Sequence, residues 1–218
     1  MCGRFSLTLR LEALERMFRA KARRKPVLPR YNIAPTQPML TISNDAPAAI
    51  DEMEWGFTVF PQDGGAPRKL VNAKAETLLE RAAFSDAFRT RRCLILADGF
   101  FEWESHAGKR VPRYFRLRSG EPFAFAGLYD EEAGTRHGVI ITTEANAIVS
   151  PVHNRMPVML REPQAWLENG NLKELQSLLV PYSEELMETF TVDPIVNSPE
   201  NDTAACIAPY TPPQLPLF

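Results

Sequence analysis

The sequence predicts an α+β fold, a curled, largely antiparallel and barrel-like mixed sheet flanked by helices. Three observations lead there. Predicted strands and helices follow one another without the regular alternation that parallel βαβ units require. A Ser119-Gly120 turn signal separates two apolar runs, the pattern of antiparallel pairing. Composition is ordinary for a packed globular chain, with 44% apolar and 24% charged residues among 218.

The elements follow in order. Thr8 to about Arg24 reads as an amphipathic helix with Leu11, Leu14 and Phe18 on one stripe, ended by Pro26 and Pro29. Residues 30–75 are loop-rich, broken by prolines and the Gly64-Gly65 pair, with strands near Met39–Ser43 and Met53–Val59. Thr77 followed by Glu80 resembles a capping box for a helix running to about Thr90. Cys93–Ala97 is a short buried strand. Tyr114–Leu117 and Phe123–Leu128 should pair as a hairpin, and Val139–Thr142 is a further strand. Helices over Glu162–Glu168 and Leu172–Leu179 precede a last strand at Phe190–Val192. The domain is expected over residues 1–208, followed by a Pro-rich tail at 209–218.

No apolar run approaches the roughly 18 residues a membrane span needs, and no secretory signal pattern opens the chain. Cys2, Cys93 and Cys206 are odd in number and far apart, which disfavours a disulfide framework. No histidine pair has ligand spacing, so neither a metal nor another cofactor is expected. A reduced, cytoplasmic protein is the expectation. The net charge of −2 hides an asymmetry. Residues 1–120 carry 21 Lys and Arg against 13 Asp and Glu, and the remainder carries 4 against 14. A basic half on a near-neutral chain favours an anionic partner. Its densest cluster, Arg19, Lys21, Arg23, Arg24 and Lys25, reads as cations at a helix C-terminus.

Cys2 is the most informative residue, either as a reactive N-terminus or, if Met1 stays on, as a small strand residue. Removal of Met1 would leave a free α-amine beside a thiol, a pair that can close a five-membered thiazolidine on an aldehyde carbon. An α-amine is roughly 10–20% free base at pH 7, against about 0.04% for an ordinary lysine, and the thiol needs only modest help to ionise. Glu102, among aromatics in Gly99-Phe100-Phe101-Glu102-Trp103, is either a general acid raised by desolvation or, by strand alternation, a solvent-facing carboxylate. His153, in a loop between Pro151 and Pro157, suits a proton shuttle or a plain surface position; His106 and His137 read as surface turns. Asn72 could hold a substrate oxygen or turn the backbone. Cys93 and Cys206 read as core.

Six segments in order, Met1-Cys2-Gly3-Arg4-Phe5, Tyr31-Asn32-Ile33-Ala34-Pro35, Trp55-Gly56, Asn72-Ala73-Lys74-Ala75-Glu76-Thr77, Ala97-Asp98-Gly99-Phe100-Phe101-Glu102-Trp103 and His153-Asn154-Arg155-Met156-Pro157-Val158, closely resemble the SOS-response-associated peptidase (SRAP) family of abasic-site processing proteins. The resemblance implies a single SRAP domain that binds single-stranded DNA at an abasic site and crosslinks to the ring-opened sugar. It implies that Cys2 supplies amine and thiol, Asn72 positions the sugar, and Glu102 orients the amine and handles protons. His153 would protonate the sugar oxygen and assist reversal, while Arg4, Lys74, Arg81 and Arg155 contact phosphates. Lyase cleavage from the imine intermediate is expected to be residual. Where the family continues Trp-Gly with Pro-x-Trp, the aromatic wedge of this chain is either Phe60 or absent, and Lys74 stands where the family has Arg. Gln214-Leu215-Pro216-Leu217-Phe218 resembles the peptide that docks bacterial replication proteins into the sliding clamp; the alternative is a tail folded back onto the domain. Two rival functions stay open, a cysteine peptidase with Cys2 as N-terminal nucleophile and a non-covalent reader of damaged DNA.

Overall fold

The computed structural model describes residues 2–59, 65–106, 108–168 and 170–210. Strand β1 (Phe5–Leu7) leads to helix α1 (Leu11–Phe18), then β2 (Lys21–Ala22), β3 (Arg30–Ile33), β4 (Pro38–Ser43), β5 (Ala49–Trp55), β6 (Phe57–Val59), β7 (Arg68–Leu70) and β8 (Asn72–Lys74). A short 3-10 turn (Ala75–Thr77) and helix α2 (Ala82–Thr90) precede β9 (Arg92–Ala97), β10 (Gly99–His106), β11 (Lys109–Leu117), β12 (Phe123–Glu132), β13 (Thr135–Glu144) and β14 (Arg155–Pro157). Helices α3 (Pro163–Glu168) and α4 (Leu172–Ser177), strand β15 (Met187–Thr191) and two 3-10 turns (Pro194–Asn197, Ala204–Ile207) complete the chain.

Five strands close a ring in the order β13, β12, β9, β4, β5. Each pair is antiparallel except the closing one, in which β5 runs parallel to β13 with Glu54 opposite His137 and Trp55 opposite Gly138. Closure removes the exposed edges that an open sheet would present. Every residue of β9 is buried, because the ring interior lies on one side and α2 and α3 cover the other. Gly56, at φ +126°, makes the sharp break between β5 and β6, a conformation that disfavours any side chain.

The second sheet has the order β15, β11, β10, β1, β3 and is buried on both faces. Phe5, Phe100 and Phe115 pack toward the barrel, where the Phe5 ring meets Trp55 at 5.2 Å and Phe125 at 5.8 Å. Phe101 and Tyr114 pack on the other side against Val192, Val196 and Cys206. Simple alternation therefore cannot distinguish inside from outside along β10. This is why Glu102 is not the solvent-facing residue that alternation allows.

The α+β class and the curled, closed sheet match expectation; several elements differ. Helix α1 ends at Phe18, not near Arg24, since Arg19 turns left-handed (φ 53°) and the Glu15 carboxylate accepts from the Ala22 N–H (3.1 Å) and Lys21 Nζ (2.9 Å). The basic cluster thus lies beyond the helix, with Lys21 paired to Glu15 and Arg23 to Asp51. The Thr77 capping box does not form. The Glu80 and Arg81 N–H groups bond to the Thr77 carbonyl, and α2 starts at Ala82 without a side-chain cap. The expected hairpin between Tyr114–Leu117 and Phe123–Leu128 is absent. Strand β11 is already flanked by β10 and β15, and β12 by β9 and β13, so the Ser119-Gly120 turn passes the chain from one sheet to the other. His137 is buried within β13 rather than on the surface. Cys93 and Cys206 are core, as read. Pro209 pairs with Val192 and Tyr210 donates to Thr191 O, so the ordered pairing reaches past residue 208. Phe60, the His106 side chain, and Gln214, Leu215, Leu217 and Phe218 lie outside the described residues. No helix among the described residues is long and apolar enough to cross a membrane.

The bend between β9 and β10 fixes β1. Asp98 accepts from Ser6 Oγ (2.6 Å), Thr8 N (2.5 Å) and Thr8 Oγ1 (2.6 Å), and Ser6 Oγ also meets Tyr114 Oη at 2.7 Å. A Cβ at Gly99 would lie 2.1 Å from that Tyr114 oxygen. Gly99→Ala is expected to destabilise the fold by about 3 kcal/mol through this overpacking. Urea unfolding measures it, and an unchanged midpoint would contradict the close approach.

Candidate functional site

The N-terminal residues reach the site because β1 continues along β10. Phe5 lies opposite Phe100, and the Phe101 N–H donates to Arg4 O at 3.0 Å, a register that brings Gly3 opposite Glu102. On the other side, β8 runs parallel to β13, and Asn72 at its start donates from Nδ2 to the Cys2 carbonyl at 2.8 Å. Strands remote in sequence thus hold Cys2 between them. Asn72 Oδ1 is buried and has no hydrogen-bond partner among the described residues. It is an acceptor suited to a hydroxyl or N–H group.

Beside Cys2 opens a cavity of about 520 Å³ lined by Gly3, Arg4, Pro35, Glu102, Trp103, Arg110, His153 and Asn197. Glu102 is 3% exposed, and burial pushes its carboxyl pKa up, with the Arg110 charge opposing. His153 is shifted down, first by burial and also by the nearby Arg155 and Arg110 charges. Its Nδ1 accepts from the Arg155 backbone N–H at 2.9 Å, which leaves the ring proton of the neutral imidazole on Nε2. The site therefore holds a carboxyl group that keeps its proton more readily than usual and an imidazole able to donate from a defined nitrogen. The Cys2 thiol differs from expectation. It is fully buried, and burial together with the Glu102 charge holds it protonated well above the usual thiol range.

The structure brings Cys2, Asn72, Glu102 and His153 to one place. The four basic residues have different settings. Arg4 lines the cavity, but its guanidinium donates to Asn32 Oδ1 (2.8 Å), Val196 O (2.7 Å) and Asn197 O (3.1 Å). Lys74, in β8, and Arg81, before α2, are exposed. Arg155 forms a bidentate pair with Glu76 (2.6 and 2.9 Å) and also donates to Thr142 O (2.6 Å). Asn32 holds its own segment by donating to Val196 O, Ser198 O and Asn201 O, so the Tyr31-Asn32-Ile33-Ala34-Pro35 motif secures one wall of the cavity.

Arg110 and Asn197 are cavity residues that the sequence reading did not single out. The Arg110 guanidinium carbon sits 5.6 Å from the Trp103 ring centroid and that of Arg4 at 5.8 Å; Trp103 Nε1 donates to Asn197 Oδ1 at 2.7 Å. The Gly108 turn with period-two pairing could have placed Arg110 beside β10. Nothing local marks Asn197, which arrives from the far end of the chain. Among the described residues no three His, Cys, Asp or Glu side chains gather as metal ligands would.

Residues 1–199 match the family described as SOS response associated peptidase (SRAP). The chain belongs to the SRAP family. It is 37% identical over 219 residues to the abasic site processing protein YoaM of Bacillus subtilis, an alignment covering 94% of this chain and 96% of that one. It is 26% identical to the abasic site processing protein HMCES of Gallus gallus, covering 96% of this chain and 78% of that one. A crystal structure of a protein from Bacteroides thetaiotaomicron superposes with a TM-score of 0.83 at 22% identity, over 96% of this SRAP chain and all of that one, and shows the shared fold.

Glu102 holds its proton more tightly in the folded than in the unfolded chain. Folded stability contributed at this position therefore falls as pH rises from the unfolded carboxyl pKa of about 4.3 through the higher folded value. Glu102→Gln removes the buried charge, so its melting temperature should exceed wild type at pH 8, with the gain vanishing toward pH 4. An equal gain at both pH values, by calorimetry, would contradict that assignment.

Proposed function

We propose that the protein processes abasic sites in single-stranded DNA by forming a covalent thiazolidine between Cys2, freed of Met1, and C1′ of the ring-opened sugar. The observation that carries the proposal is the convergence beside Cys2 of Asn72, a buried Glu102 carboxyl and a neutral His153 with its proton on Nε2. The family and the names of the relatives agree with damaged DNA as substrate. Exposed Lys74 and Arg81 together with Arg110 at the cavity mouth supply the cationic track a phosphate backbone requires, without reading bases.

Removal of Met1 turns the Cys2 amide nitrogen into an amine. The amine nitrogen attacks the C1′ aldehyde carbon, and the carbonyl π electrons move to oxygen, which takes a proton. His153 would hydrogen-bond sugar oxygens through Nε2–H, and Asn72 Oδ1, which is buried without a partner among the described residues, would accept from a sugar hydroxyl. Glu102 donates a proton to the carbinolamine hydroxyl, which leaves as water and yields the iminium. The thiol sulfur then bonds to C1′ as the iminium π pair returns to nitrogen, and the S–H proton passes to the Glu102 carboxylate. The iminium is a strong electrophile held beside the sulfur, so a thiol that starts protonated suffices for an intramolecular closure. Elimination from the iminium, which would cut the strand, competes with that closure and should be residual in wild type. The peptidase reading needs an ionised thiol as attacking group, and burial favours the opposite state.

The test is a denaturing gel of Met1-free protein with a single-stranded oligonucleotide carrying one abasic site. Wild type should give a heat-stable shifted band, Cys2→Ala none, and Asn72→Ala about a tenfold slower one. No band from wild type of verified mass would sink the crosslink, and equal strand cleavage by wild type and Cys2→Ala would refute protection by ring closure.

A further inference from the structure

We propose that Arg110 takes the phosphate linkage adjoining the abasic sugar, with its guanidinium held ready for that anion on the face of the Trp103 ring. The inference rests on the proposed substrate and narrows its cationic track to one side chain and one linkage.

The hairpin between β10 and β11 sets the position. Gly108, at φ +76°, turns the chain, and the register that follows puts Ser105 opposite Arg110, Trp103 opposite Pro112 and Phe101 opposite Tyr114. Cross-strand partners share a face, so Arg110 stands on the Trp103 side and its neighbour Lys109 on the other. Trp103 is diagonal to Arg110, within reach of a long side chain, and the guanidinium carbon lies 5.6 Å from the ring centroid. The ring itself is fixed. Its Nε1 donates to Asn197 Oδ1 at 2.7 Å, and the Arg4 guanidinium carbon lies 5.8 Å from its centroid. The strand pair thus carries the cation from the hairpin back to the cavity that Glu102 and His153 line.

Among the described residues two guanidiniums line that cavity, and they differ in what they hold. Arg4 donates to Asn32 Oδ1, Val196 O and Asn197 O. Arg110 is exposed and makes no hydrogen bond or salt bridge among the described residues; it rests on the Trp103 ring. Glu104, next to Trp103 in sequence, lies on the opposite face of β10 and is 4.0 Å from Arg113. The Arg110 charge still reaches both groups proposed to handle protons, opposing the rise of the Glu102 carboxyl and adding to the fall of His153. A charged, exposed fork of donors already stacked on an aromatic ring suits an incoming phosphate. The cavity of about 520 Å³ is the size of a small ligand, so a cation on its rim meets the linkage next to a sugar placed inside, not one several nucleotides away.

Fluorescence anisotropy on the full chain freed of Met1 tests the contact, with a single-stranded oligonucleotide whose abasic position is a tetrahydrofuran. That analogue has no aldehyde, so binding is read apart from the covalent step. Arg110→Gln should weaken binding about tenfold and lower the salt slope by about 0.7, the share of one phosphate on a single strand. Arg110→Lys should keep the slope and regain only part of the affinity, because the charge returns without the fork. An uncharged methylphosphonate on the 5′ or the 3′ side of the tetrahydrofuran should cost wild type and Lys109→Gln about tenfold at one of the two linkages. It should cost Arg110→Gln nothing further there. Circular dichroism establishes that each variant is folded. An unchanged slope in folded Arg110→Gln would overturn the contact. So would a wild type indifferent to both methylphosphonates, or a loss that Arg110→Gln shares. Absence of binding by wild type at low salt would sink the DNA reading and this contact with it. Should the Arg110 effects appear while wild type fails to crosslink a true abasic oligonucleotide, the contact stands and the thiazolidine reading falls.

Discussion

The Asp98 carboxylate accepts three hydrogen bonds from Ser6 and Thr8 and thereby ties the N-terminal strand into the second sheet. Chain termini ordinarily fray. Here β1 lies between β10 and β3, its Phe5 ring is wedged against Trp55 and Phe125, and Gly99 lets Tyr114 close over Ser6. Only with β1 held in this way can Asn72 grip the Cys2 carbonyl and Glu102 stand across from Gly3. The Ala97-Asp98-Gly99-Phe100-Phe101-Glu102-Trp103 segment therefore does two jobs in seven residues. Asp98 and Gly99 anchor the strand that carries Cys2, and Glu102 sets a buried carboxyl beside it.

The second sheet is buried on both sides, and this sets the electrostatics of the site. A one-sided sheet would have left Glu102 in water with an ordinary carboxyl. With the barrel on one face and residues 194–207 on the other, desolvation raises the Glu102 carboxyl and lowers His153, the directions that favour an acid and a neutral donor at neutral pH. The same burial costs folding stability, since unfolding returns both groups to water. Arg4 shows how tightly this region is built. Its donors hold Asn32 and the 196–197 carbonyls, so it shapes the cavity wall even as its charge remains at the mouth.

The motif-bearing residues were legible in the sequence, and so was the fold class. Cys2, Asn72, Glu102 and His153 come together as the resemblance implied, because each motif has a physical task in placing them. The misreadings share a cause: partners distant in sequence override local pattern. Glu15 captures Ala22 and Lys21 and shortens α1; β10 and β15 occupy both edges of β11 and prevent the hairpin; the parallel closure of β5 on β13 buries His137. Arg110 and Asn197 escaped notice because their importance is visible only once Trp103 is seen between them. The shift of the Cys2 thiol escaped notice for the same reason, since the strands that bury it are distant in sequence.

In the proposed reaction, a buried, protonated thiol next to a latent amine would also order the chemistry. At neutral pH a thiolate would be open to oxidation and would compete with the amine for the aldehyde, forming a hemithioacetal that holds the sugar without committing it. Keeping the sulfur protonated by burial leaves nitrogen as the first nucleophile. In the proposed reaction, loss of water from the carbinolamine, with the proton supplied by Glu102, would then produce the ion that the sulfur attacks and the base, the new carboxylate, that takes its proton. On that route the state of one carboxyl would switch the thiol on only after the imine has formed, and the strand-cutting elimination would have to outrun a ring closure whose two partners belong to the same residue.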